Sequence, residues 1–166
     1  TGFRVTLEAH YPPMIVPLKV DITTGDKITP REIVYEFPLL LEPRRIKILA
    51  YNLETILAEK LETIVSRGDQ NTRPRDYYDI YIIRKLQWQN IDPSSLRSAL
   101  AATADHRRTR AILNDYQDIL DTIEQSRAMS QHWLNYQTQF DYAKDISFAD
   151  ACATIREVMA IACPPT

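Results

Sequence analysis

Glycine is scarce in this chain: three residues in 166, against ten prolines. That composition excludes a collagen-like repeat. Cysteine is scarcer still, with only Cys152 and Cys163, so no disulfide scaffold can carry the fold. If both lie on one C-terminal helix, a spacing of eleven residues puts them about 16 Å apart along the axis, too far to bridge. Free thiols fit a reducing compartment, and the expected location is cytoplasmic. No stretch approaches about 18 consecutive apolar residues, so no membrane-spanning helix is expected. Residues 1–20 lack the charged-then-apolar layout of a signal peptide. Neither sign of charge dominates: 20 Lys and Arg face 22 Asp and Glu, for a net charge of −2. A globally basic nucleic-acid binder is thereby excluded, although a local basic patch is not. His10, His106 and His132 have no metal-ligand spacing, and no Ser/His/Asp or Cys/His arrangement can be argued.

What is present suffices for a core. Hydrophobic residues make up 45% of the chain, and a domain of this length buries about two-thirds of its unfolded surface, so the composition is not that of a disordered protein. The first fifty residues read as β and the rest as α. Phe3, Val5 and Leu7 alternate with Arg4, Thr6 and Glu8, the period of a half-buried strand. No initiator Met precedes this strand, and the working expectation is a piece of a longer protein. A turn at residues 10–13, a second strand at 15–23, a β-rich stretch at 31–41 interrupted by Pro38, and a short strand at 46–50 follow. Asn52 is a good N-cap for a helix from Leu53 to about Arg67, which Gly68 stops. Pro74 suits the first turn of a second helix reaching about Leu86, and Asp92-Pro93-Ser94 opens a third, with two or three more through Ile161. The expected architecture is α+β: a partial antiparallel or mixed sheet of about four strands over residues 1–51, then five or six helices over 52–166. Trp88, Trp133, Tyr136, Phe140 and Tyr142 are expected to pack that bundle, with base stacking the minority reading.

Three ionic features stand out. Asp21 lies with Lys19 and Thr23 on the polar face of the second strand, where a carboxylate usually just meets solvent but could serve a hard cation such as Mg²⁺. On the first helix, Lys60 falls inside a stripe of Leu53, Ile56, Leu57, Leu61 and Ile64, with Arg67 on the same side. A buried ammonium is costly without a partner, either a protein carboxylate or a ligand phosphate. Asp76 and Asp79 fall on one face of the second helix with Ile80 and Ile83, so the two helices can share a semi-buried ionic cluster. That cluster could be a helix-packing lock, or could aim cations at a phosphate. Arg67, Arg73 and Arg75, and a second run from His106 to Arg110, make the surroundings locally basic. Such patches suggest a nucleotide or an RNA backbone.

Lys19-Val20-Asp21-Ile22, the helix Tyr51 to Leu61 with Lys60, then Arg67, then Arg73-Pro74-Arg75-Asp76-Tyr77-Tyr78-Asp79 together resemble the AbiEii/AbiGii toxin family. These are nucleotidyltransferase-fold toxins of bacterial abortive-infection and toxin–antitoxin systems. The resemblance covers residues 1–90 well and the remainder only in character. It implies Mg²⁺-dependent transfer of a nucleotide from a nucleoside triphosphate to an RNA acceptor, with tRNA the expected one, an antitoxin encoded nearby and no membrane role. By resemblance, Asp21 is the strand carboxylate for metal binding or catalysis, and Lys60 is the catalytic lysine facing triphosphate. Lys19, Arg67 and Arg75 then join Lys60 as phosphate contacts, while Asp76 and Asp79 position the cations. The family's glycine-rich turn and Asp-x-Asp pair do not precede Asp21 here, so this polypeptide alone is expected not to transfer nucleotides. Two other readings stay open: a non-catalytic helical module binding RNA or protein, and a helical domain with no nucleic-acid role.

Overall fold

The structure, a computed structural model, describes residues 2–164. Strand β1 (Gly2–Tyr11) turns at Pro12 and Pro13 directly into β2 (Met14–Thr23). Their antiparallel register pairs Phe3 with Ile22, Val5 with Val20, Leu7 with Leu18, Ala9 with Val16 and Tyr11 with Met14. Cross-strand partners share a face, so one side of this hairpin is wholly apolar. The other side sets Arg4 opposite Asp21 and Thr6 opposite Lys19. A second hairpin, β3 (Ile33–Pro38) with β4 (Arg45–Ala50), puts Ile33, Tyr35 and Phe37 opposite Ala50, Ile48 and Ile46.

The four strands therefore make two separate two-stranded sheets instead of one sheet of four. The cause lies in the segment between them. Asn52 donates from Nδ2 to the carbonyls of Thr29 and Arg31, at 2.8 and 2.9 Å. The Thr29 amide donates in turn to Thr55 Oγ1 at 3.0 Å. The chain after β2 is thus drawn to the head of the first helix, and β3 pairs with β4 rather than with β2. Pro38 ends β3, where a missing N–H costs no ladder hydrogen bond.

Six helices follow: α1 (Leu53–Arg67), α2 (Pro74–Leu86), α3 (Pro93–Arg107), α4 (Tyr116–Gln125), α5 (Arg127–Gln139) and α6 (Phe148–Ala162). Their ends answer to local chemistry. Asn52 Oδ1 accepts from the Thr55 amide at 2.7 Å, and Asp92 caps α3 by accepting from Ser95 at 2.7 Å. Hydrogen bonds from Ser94 and Ser95 hold the Asp92 carboxyl down at about 2. Gly68 leaves α1 with φ of 55°, a left-handed conformation that glycine adopts without steric penalty.

Every buried hydrophobic side chain among the described residues lies between Leu57 and Ala162. α1 packs on α3, and α2 on α6. Trp133 is at the centre, donating its indole N–H to the Ile146 carbonyl at 2.9 Å. Cys152 is buried in α6 and Cys163 follows that helix; both are free. Burial pushes the Cys152 thiol up to about 12. Among the described residues no helix is long and apolar enough to cross a membrane.

Candidate functional site

The buried face of α1 carries Leu57, Ala58, Leu61, Glu62, Ile64 and Val65. It is rotated by about a quarter turn from the stripe expected from Leu53, Ile56 and Leu57. Lys60 consequently sits at the edge of the packed face, not its middle, with its side chain 19% exposed. Its ammonium still has no free choice of partner. Nζ donates to Asp76 Oδ1 at 2.9 Å and to Asp79 Oδ2 at 2.7 Å. Asp76 is the buried member, with its side chain 3% exposed, and its other oxygen is 3.0 Å from Arg73 Nε. Arg75 approaches Asp79 at 3.8 Å from the solvent side. The sequence expectation of a Lys60, Asp76 and Asp79 cluster corresponds to this arrangement. The arginine that completes it is Arg73, which as the N-cap of α2 stands three residues before Asp76 and reaches it across the first helical turn.

Three cations face two carboxylates here, and an ammonium has three N–H bonds of which two are taken. Both observations leave the cluster able to receive an anion. It opens into a cavity of about 720 Å³ lined by Lys60, Arg73, Arg75, Asp79, Phe140 and Tyr142, among others. A smaller recess of about 100 Å³ on the far side of Lys60 is bounded by Ile56, Glu59, Thr63 and Arg73.

The other predicted residues lie elsewhere. Asp21 is exposed on the first hairpin, where Arg4 donates to both its oxygens, at 2.6 and 2.9 Å. That contact holds the Asp21 carboxyl below its usual value, and nearby Lys19 adds to the effect. Lys19 is exposed opposite Thr6. Arg67 is exposed in the last turn of α1 and does not line the cavity. Part of the second basic run is engaged in contacts within the protein. Arg107 donates to Glu62 and to Thr63 Oγ1, Thr109 donates to Glu62 at 2.8 Å, and Arg110 pairs with Asp105 at 3.1 Å.

Sequence reasoning missed two features. Glu62, 2% exposed, binds α1 to the end of α3; its signal was a carboxylate beside Ala58 and Val65 on the same helical face. Phe140 and Tyr142 line the cavity of Lys60 although some eighty residues separate them in sequence, and no local pattern reports such a meeting. Glu59, half-buried near Arg107 and Asp26, has its carboxyl raised chiefly by burial.

The residues present do not make a Mg²⁺ site. Both oxygens of Asp21 are taken by Arg4, those of Asp76 and Asp79 turn toward cations, and no group of three or more His, Cys, Asp or Glu side chains able to hold a metal occurs among the described residues.

These features define an α+β protein whose helix pair presents a partly neutralised lysine to an anion-sized cavity. The family model described as "Nucleotidyl transferase AbiEii toxin, Type IV TA system" matches residues 1–155, and the chain belongs to that family. Its role is thereby nucleotidyltransferase-like, within a toxin–antitoxin system. No curated protein and no solved structure matches the chain.

Proposed function

We propose that this chain is the nucleotide-binding portion of a nucleotidyltransferase toxin, which transfers a nucleotide from a nucleoside triphosphate to an RNA acceptor such as tRNA in abortive infection. The observation that carries the reading is the semi-buried Lys60 ammonium, oriented by Asp76 and Asp79 and open to a cavity that Arg73 and Arg75 also line. Charge-assisted hydrogen bonds to phosphate are stronger than neutral ones. The aspartates hold the amine in one rotamer, so less entropy is lost when an anion arrives. Lys60 and Arg75 contact the phosphates, with Arg73 added to the original set. Lys19, Asp21 and Arg67 keep the roles the resemblance implies only if the first hairpin and the end of α1 approach the nucleotide. Mg²⁺ is the metal this chemistry uses, and the described carboxylates do not by themselves make its site. The antitoxin encoded nearby is the toxin's partner, and the cell's cytoplasm its site of action.

Titration of the protein with a nucleoside triphosphate tests the reading. Lys60→Ala is expected to weaken binding by about tenfold or more, since hydrogen bonds to charged groups contribute roughly 1.5–3 kcal/mol. Equal affinity for both proteins would remove Lys60 from the site. A companion assay with labelled triphosphates, Mg²⁺ and tRNA is expected to show no transfer by this polypeptide alone, for want of the Asp-x-Asp pair; efficient labelling would overturn that statement.

A further inference from the structure

The cavity beside Lys60 has a second wall that phosphate binding does not use. After α5 ends at Gln139, the chain folds back through one 3-10 turn, Asp141–Ala143. This turn lays the Tyr142 ring 4.6 Å from Tyr78 and 5.4 Å from Phe140, centroid to centroid, the latter pair inclined by only 27°. The rings are firmly held. Tyr142 and Tyr136 share a hydroxyl hydrogen bond of 3.0 Å, and Gln137 donates to the carbonyls of Ala143, Lys144 and Ile146 at 3.0–3.1 Å. Tyr136 packs at 4.8 Å from Phe140 and at 5.7 Å from Trp133.

Anchoring of this kind normally accompanies burial, yet Tyr142 is 53% exposed and Phe140 37%. Both line the same cavity as Lys60, Arg73 and Arg75. Tyr78, which Tyr142 packs against, is the chain neighbour of Asp79, so the aromatic wall begins where the ionic cluster ends. The cavity lining is therefore cationic at Lys60, Arg73 and Arg75 and aromatic at Tyr136, Phe140 and Tyr142.

We infer that Phe140 and Tyr142 form a stacking shelf for the base of a nucleoside triphosphate whose phosphates lie toward Lys60, Arg73 and Arg75. The inference rests on the nucleotide reading above and adds the determinant of base binding. A volume of about 720 Å³ falls in the range of small-molecule sites, about 300–1,000 Å³. A single mononucleotide carries both the flat π-face and the polyanion that the two kinds of lining require. That economy favours the donor nucleotide over an RNA base. Because every base has a π-face, the shelf binds all four nucleotides with little discrimination.

The test is equilibrium titration of wild type, Tyr142→Leu, Phe140→Leu and Tyr142→Phe with ATP, with inorganic tripolyphosphate, and with a single-stranded oligoribonucleotide. Stacking predicts that each leucine variant weakens ATP binding by about tenfold or more and leaves tripolyphosphate affinity unchanged. Tyr142→Phe, which keeps the ring and loses the hydroxyl bond, should stay within about twofold of wild type for ATP, since the π-face does the binding. Unchanged ATP affinity in both leucine variants overturns the shelf and leaves the phosphate reading intact. So does a parallel loss of ATP and tripolyphosphate, which would make the rings a mere wall of the cavity. Loss confined to the oligoribonucleotide assigns the rings to RNA and also overturns the inference. If wild type binds neither ATP nor tripolyphosphate, the nucleotide reading fails first and the shelf with it.

Discussion

The two hairpins and the six helices satisfy their backbones equally well but treat their side chains in opposite ways. In the helices, apolar residues at helical spacing close on one another, and Leu57, Leu61, Ile64, Tyr77, Trp133 and Ile155 reach 0–1% exposure. In the first hairpin, an equally regular apolar face leaves Phe3 at 62%, Leu7 at 49% and Met14 at 57% exposed. Pattern alone therefore does not make a core; a second layer does. A lone two-stranded hairpin has marginal stability, so the cooperative unit here is helical. The same contrast holds for charge. Lys60–Asp76 is drawn into the packed body, whereas Arg4–Asp21 has better bidentate geometry and lies in solvent.

Substitutions can sharpen or break that contrast. The largest expected effect is at Asp76. Asp76→Ala removes the buried carboxylate of the cluster, leaves Lys60 with Asp79 alone, and should cost roughly 3–5 kcal/mol in urea unfolding followed by helical circular dichroism. Asp21→Asn, removing the hairpin pair, should leave the midpoint unmoved; equal losses would mean that the hairpin pair is buried in solution. Next comes Leu61→Ala, expected to cost about 2–5 kcal/mol, against a change within about 0.5 kcal/mol for Leu7→Ala on the hairpin. A large loss at Leu7 would break the comparison outright.

The smallest effect concerns Glu59, whose carboxyl is raised mainly by burial. The folded chain holds this proton more tightly than the unfolded chain does. The penalty for the buried carboxylate is thus present above the folded value and fades as pH falls through it. Glu59→Gln should raise Tm at about pH 7 and lose that advantage by about pH 4. An advantage that grew in acid would reverse the assignment.

Much of the local structure was legible because its causes are local. Asn52, Gly68, Pro74 and Asp92 mark helix ends by hydrogen bonds or dihedral limits that span a few residues. Asp76 and Asp79 were legible because a carboxylate one turn inside an apolar helical face needs a partner. The role of Arg73 was local as well, an i,i+3 pair with Asp76 at the start of α2, but the wheel of α1 pointed to Arg67 instead. Arg107 read as one member of a basic patch because its acceptor, Glu62, is 45 residues away. The apolar stripe of α1 was placed a quarter turn off because the packed face includes Glu62, a carboxylate that a hydrophobic pattern assigns to solvent and that Arg107 pairs with instead.

Composition, alternation and capping residues by themselves determined that this chain has β-hairpin material followed by helices, no disulfide framework, and a lysine that must find an anionic partner. Those are properties of nearest neighbours along the chain and of the cost of leaving a charge unpaired. Only the tertiary structure decided that the strands close as two separate hairpins, that Arg107 is spent on Glu62, and that Phe140 and Tyr142 line one cavity with Lys60. Each of these depends on which surfaces meet once the helices pack, and packing is settled by shape and volume summed over the whole core.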